Sequence, residues 1–171
     1  MPRESFVDLV GKVLTATKNL AGIGLPQQWH PNRDPNELSI KIPLEIDGLQ
    51  VGHKLIAVFE PASHTLKFSI LITVNEVCIT RLDFDKTGGH TNSLLALQYN
   101  IPPIVSGNHF HRWALNKRFV TACGNLERLE NAEAIPDSIR TFDAALRWFC
   151  DECNIQLPHN HAIELPPRRL I

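Results

Sequence analysis

Three histidines, His90, His109 and His111, stand close in the chain to Arg81, Asp83 and Asp85, and these residue types suit proton transfer, anion binding or metal ligation. On a strand, side chains two apart share a face. A strand over residues 77–84 therefore groups Val77, Ile79, Arg81 and Asp83 and turns Cys78, Thr80, Leu82 and Phe84 the other way. The same rule sets His109, His111 and Trp113 on one face of a later strand and points Phe110 and Arg112 away. Between the two, Gly88-Gly89 permits a tight turn that carries His90 back over the sheet. If the two strands are neighbours, three imidazoles and two carboxylates converge.

Such a set suits three kinds of function. In the first, a metal-independent enzyme cleaves a phosphodiester, RNA being the leading substrate. His109 and His111 act there as base and acid, His90, Arg81 or Arg112 holds the phosphate, and Asp83 or Asp85 orients an imidazole. Arg81, Asp85, Arg112 and Trp113 are then the substrate-binding residues. In the second, the same histidines and an aspartate hold zinc or another divalent transition metal in a hydrolase, although His-x-His alone is a low-specificity match. In the third, the protein is a non-enzymatic inhibitor or binding protein that meets a protein partner elsewhere on its surface, and the histidines serve structure. Each histidine taken singly reads better as an ordinary strand or loop residue; the set as a whole points to function.

A second zinc set is conceivable, since Cys150-x-x-Cys153 precedes His159-x-His161. The two cysteines also complete the apolar stripe of a C-terminal helix, which explains them without metal. Arg168-Arg169 reads as a solvated tail.

The elements that position these residues follow from periodicity. Apolar residues at Phe6, Val7, Val10, Val13, Leu14 and Leu20 predict an amphipathic helix starting at Glu4, and the proline-rich stretch from Leu25 to Glu37 predicts a loop that Trp29 pins to the core. Leu38, Ile40, Ile42, Leu44 and Ile46 alternate with polar residues, and Pro43 marks that strand as an edge, open to dimerisation. Asp47-Gly48 and Asn75-Glu76 are turn signals. They separate apolar runs over residues 54–59, 66–74 and 77–84, which together predict an antiparallel meander. Residues 85–108 read as a long functional loop, 109–115 as a fifth strand and 118–122 as a sixth. Ile139, Phe142, Leu146, Phe149, Cys150 and Cys153 form one stripe of a helix over residues 138–153, capped by Asp137 or Ser138. The expected fold is α+β: a mainly antiparallel sheet of five or six strands packed by N-terminal and C-terminal helices, one domain over residues 1–157, then an extended proline-rich tail over 158–171.

Composition narrows the setting. With 17 Lys plus Arg against 18 Asp plus Glu the net charge is −1, so the chain lacks the general positive field of nucleic-acid-binding proteins, and any RNA contact must be local. No apolar run approaches the roughly 18 residues of a membrane span. Four cysteines, mostly in apolar surroundings, fit reduced thiols better than a disulfide framework, and a cytoplasmic protein is expected.

The order Ile79-Thr80-Arg81-Leu82-Asp83-Phe84, His90-Thr91-Asn92, His109-Phe110-His111 with Trp113, and the closing Phe149-Cys150-Asp151-Glu152-Cys153-Asn154-Ile155 resembles an uncharacterised family of small proteins of bacteria, phages and mobile elements, over roughly residues 4 to 157. That resemblance implies an α+β fold and a marked histidine site, and it assigns no activity. A weaker likeness is to small toxins of toxin-antitoxin modules, where an Arg-x-Asp strand and a later His-rich strand are similarly placed.

Overall fold

In this computed structural model, which describes residues 5–24, 26–121 and 126–167, the chain opens with helix α1 (Phe6–Thr15) and two short strands, β1 (Lys18–Leu20) and β2 (His30–Pro31). The strands β3 (Leu38–Ile46), β4 (Leu49–Phe59), β5 (Lys67–Val74) and β6 (Val77–Asp85) follow, then β7 (Gly89–Thr91), β8 (Ile104–Ser106) and β9 (His109–His111). The short helix α2 (Trp113–Asn116), strand β10 (Glu133–Ala134), helix α3 (Phe142–Glu152) and strand β11 (Ile155–Gln156) come last.

The α+β class and the meander are as expected. Strands β3 to β6 pair antiparallel in sequence, β9 joins β6, and the order across the sheet is β10-β9-β6-β5-β4-β3-β1-β11, with β2 also on β3. Only the β1–β11 pairing in that sheet is parallel. Among the described residues this sheet has nine strands where five or six were expected, because β1, β2, β10 and β11 are two or three residues long and too short to show a period. Both hairpin turns form as their residues dictate. Asp47 and Gly48 take φ of 51° and 76°, and Asn75 and Glu76 take 49° and 65°, the left-handed pairs that match the twist of the flanking strands.

Register decides which residues meet. Ile40, Ala57, Ile70, Leu82 and Phe110 are successive partners across β3, β4, β5, β6 and β9, and all five are buried in the main core. Val10 and Val13 of α1 and Phe142, Leu146 and Phe149 of α3 pack into that same core, with Phe110 edge-on to Phe149 and Phe142 edge-on to Phe68. The neighbouring rows necessarily face the other way. One of them runs Ser69, Asp83, His109 and the next runs Leu71, Arg81, His111. The candidate site therefore occupies the sheet face opposite α3.

Local chemistry sets the helix ends. Ser5 caps α1 by accepting from Asp8 N at 3.2 Å, and the helix stops at Thr15, short of the expected Leu20. There the Lys18 ammonium, with no exposed surface, donates to Val13 O at 2.7 Å and Ala16 O at 2.6 Å and so satisfies the helix C-terminus. Helix α3 starts at Phe142 and not at Ser138, because Thr141 takes the cap and accepts from Ala144 N at 3.2 Å; Ile139 stays buried in the preceding turn.

Other expectations need correction. The Pro43 strand is no free edge, since β4 flanks one side and β2 and β1 share the other. Ala21 N donates to Pro43 O at 3.0 Å, but Pro43 has no N–H to return the bond, and the β1 pairing ends there at Leu20. The fifth strand ends at His111: Arg112 is the extended N-cap of α2, and Trp113 enters that helix and packs edge-on against Phe6. Residues 118–121 form no strand, because a 3-10 turn over Lys117–Phe119 follows α2 directly. The long loop holds the β7–β8 ribbon and a 3-10 turn over Ala96–Tyr99. Trp29 does pin its loop, donating from Nε1 to Glu164 O at 2.8 Å and lying edge-on to Phe59 and Phe142. Ile163, in the proline-rich C-terminal stretch, is buried in the same core. Glu4, Leu25, Ala122, Cys123, Arg168 and Arg169 lie outside the described residues.

Candidate functional site

Strands β6 and β9 are neighbours in the register Arg81 with His111 and Asp83 with His109, which brings both histidines of the His-x-His pair beside the Arg-x-Asp pair. His90 arrives on β7. The turn before it is held by Asp85, whose Oδ1 accepts from Thr87 N, Thr87 Oγ1 and Gly88 N. Gly88 and Gly89 are needed for close packing, since a Cβ would sit 2.8 Å from Asp85 Oδ2 at the first and 2.9 Å from Val105 O at the second. The three imidazoles then pack together, with ring centres 4.6 Å apart for His90 and His111, 5.2 Å for His109 and His111 and 5.7 Å for His90 and His109. One ring nitrogen from each lies within 4.8 Å of the other two.

The remaining ring nitrogens fix the tautomers. His109 Nδ1 lies 2.7 Å from Gly107 O, His111 Nδ1 lies 3.1 Å from Asn131 O, and His90 Nε2 lies 2.9 Å from Glu130 O. A carbonyl oxygen only accepts, so each of these nitrogens carries a hydrogen. In the neutral rings the lone pairs are left on His109 Nε2, His111 Nε2 and His90 Nδ1. A ring N–H donated to a backbone carbonyl, with the opposite nitrogen free, is the arrangement that orients a metal-ligating histidine.

Asp83 completes the set. Its Oδ2 lies 3.4 Å from His109 Nε2 and 3.3 Å from His111 Nε2, while its Oδ1 accepts from Ser69 Oγ at 2.6 Å. Ligand bonds of about 2.0 to 2.1 Å in a tetrahedron put neighbouring donor atoms about 3.3 to 3.4 Å apart, so these separations match two edges of such a polyhedron. Arg81 is the competing cation at present: Nε donates to Asp83 Oδ2 at 2.8 Å, and Nη2 lies 3.3 Å from the same His111 nitrogen.

Burial amplifies these interactions. His111 has no exposed surface and His109 is 5% exposed, whereas His90 is half-buried. Burial alone would raise the Asp83 carboxyl, but His109, His111, Arg81 and Ser69 outweigh it and hold that carboxyl well below the usual range. Burial pulls both ring pKa values down. At His109, the bonds to Asp83 and Gly107 reverse this and leave the ring raised; at His111, burial prevails and the ring is lowered.

A network of buried asparagines holds the Asn131 carbonyl that sets the His111 tautomer, and the backbone beside it. Asn131 Oδ1 accepts from Ser93 N and Oγ, and Asn131 Nδ2 donates to Leu115 O. Asn116 accepts from Asn131 N and donates to Asn131 O, while Asn92 bonds both Ala132 N and Ala132 O. The stretch from Glu130 to Ala132 is thus fixed at the backbone where His90 and His111 need it.

Other sequence-selected residues lie apart from the cluster. Asp85 shapes the turn and lines an adjoining cleft of about 220 Å³, with Lys67, Ser69, Arg81 and His109. Arg112 is on the α3 side, paired with Glu133 at 2.7 Å and Glu152 at 2.6 Å. Trp113 is packed against Phe6. Cys150 and Cys153 are buried, burial pushes both thiols up, and His161 pairs with Asp143 instead. Among the described residues, His90, His109 and His111 are the one group of three or more that converges as metal ligands. Ser69, which shares the outward face of β5 with Lys67, was a readable signal; Asn131 and Gly107 had none, because their contribution is a backbone carbonyl.

Compared with protein-family models, curated proteins and solved structures, the chain finds no significant match. Among the described residues, no helix is long and apolar enough to cross a membrane.

Proposed function

We infer that this protein is a hydrolase that uses a divalent transition metal such as zinc, held by His90, His109 and His111 with Asp83 beside them, on a small-molecule substrate. The observation that carries this reading is the shared backbone support: all three histidines give one ring N–H to a backbone carbonyl and turn the other nitrogen toward the centre. With three imidazoles and one carboxylate in a tetrahedron, a water or substrate atom would enter as a fifth ligand. An ion held there would supply an activated water and polarise the bond to be cleaved, with Asp83, held by Ser69, as its fourth ligand. The cleft beside the cluster, at about 220 Å³, has room for a small ligand or one end of a larger one.

A second reading, the metal-free phosphodiesterase, has one observation in its favour. Arg81 already puts a cation on Asp83 and His111, as a phosphate-binding site with an oriented imidazole would. Chelation separates the two. The metal reading expects one divalent ion per chain, loss of hydrolysis of activated ester and phosphodiester substrates on chelation, and recovery on adding the ion back. Hydrolysis that survives chelation with the histidine pair still essential favours the metal-free reading.

A further inference from the structure

We propose that the cleft beside the histidine cluster receives the anionic end of a small substrate, a carboxylate or a phosphate, with Arg81 and Lys67 as its receptors. This rests on the metal reading above. Without an ion the charged lining is balanced, Lys67 and Arg81 against Asp83 and Asp85. A divalent ion adds two positive charges to a partly closed site, and the field then selects an anion.

Arg81 is placed to change partners. Both of its acceptors, Asp83 Oδ2 and His111 Nε2, are atoms that the ion would engage. As the ion takes those lone pairs, the guanidinium loses its present bonds and is repelled by the incoming charge. Its side chain is 38% exposed and lines the cleft, so it has space to turn, and its planar fork matches the two oxygens of a carboxylate or phosphate. Lys67 lies at the same cleft, with Nζ 2.8 Å from Glu60 Oε1 and 3.9 Å from Asp85 Oδ2. Asp85 is already committed through Oδ1 to the Thr87–Gly88 turn, and a half-exposed pair such as Lys67–Glu60 is weak enough for an arriving oxyanion to exchange with Glu60.

The full chain loaded with cobalt(II), whose visible bands report its coordination, tests this when titrated with malonate and with inorganic phosphate. Wild type is compared with Lys67→Met, Arg81→Gln and Arg81→Lys, and the unfolding midpoint of each is measured alongside. The expected result is saturable binding of at least one probe. Lys67→Met and Arg81→Gln should each weaken it by about tenfold or more, and Arg81→Lys by less. Arg81→Gln should bind cobalt at least as tightly as wild type, since the competing cation is gone. Equal anion affinity in wild type, Lys67→Met and Arg81→Gln overturns the proposal, as does a loaded wild type that ignores both anions; either result leaves the metal reading standing. Loss of cobalt from a folded Arg81→Gln variant also overturns it, because Arg81 would then support the ion. A wild type that takes up no cobalt removes the metal reading and this inference together.

Discussion

Asp83 and His109 are register partners on adjacent strands, and the carboxylate oxygen of the first lies 3.4 Å from Nε2 of the second while Nδ1 is bonded to Gly107 O. The same carboxylate serves His111 at 3.3 Å. Replacing Asp83 by Asn keeps the shape and removes the charge. Divalent-metal affinity should fall by about 10- to 100-fold, as measured by calorimetry. An unchanged affinity would mean that Asp83 is neither a ligand nor an orienting group.

The asparagine network is predicted to matter at a distance. Asn131→Ala leaves Ser93 N and Leu115 O without their partner, at a cost of about 1 to 3 kcal/mol of stability. It also loosens the carbonyl that orients His111, so metal affinity should fall in the protein that remains folded. Urea unfolding and calorimetry on the same sample check the two effects. A stability loss with full metal affinity would reduce Asn131 to a purely structural role.

What was legible in the sequence follows from the physics of each part. Alternation in β3, β5 and β6 is strong because one face of each is buried, and in β6 it groups Arg81 with Asp83; His109 and His111 share a face by the two-residue period of β9, whose three residues are all buried. The return of His90 was readable from Gly88-Gly89, though the glycines act by close packing and not by left-handed backbone. Trp113 was misplaced because three strand residues followed at once by a helix cannot be told from a longer strand by period. The short strands and the carbonyls of Gly107, Glu130 and Asn131 were not legible, since two-residue pairing and backbone acceptors depend on tertiary placement and hardly on side-chain type.

The core assignment is tested on α3. Phe142 packs edge-on against Phe68, and Leu146 has no exposed surface. Each replaced by Ala should cost about 2 to 5 kcal/mol, seen as a lower denaturant midpoint with an unchanged slope. Midpoints equal to wild type would remove both from the core.

Lys18 gives stability a dependence on pH. Burial lowers its pKa to about 8 from 10.5, opposed in part by Cys153. Between those values the unfolded chain binds the proton and the folded chain does not, so Lys18 makes unfolding harder as pH rises through that window. Below pH 8 both states are protonated, and its contribution is flat. The difference in unfolding free energy between wild type and Lys18→Met should grow from pH 8 to 10.5; a constant difference contradicts the lowered pKa.

The most direct measurement of the central claim is an anomalous difference map from a crystal of the full chain grown or soaked with zinc. The account predicts one peak about 2.0 to 2.1 Å from His90 Nδ1, His109 Nε2 and His111 Nε2, with the other nitrogen of each ring still bonded to Glu130, Gly107 and Asn131. An empty cluster beside a zinc held elsewhere, or no bound zinc at all, would contradict it.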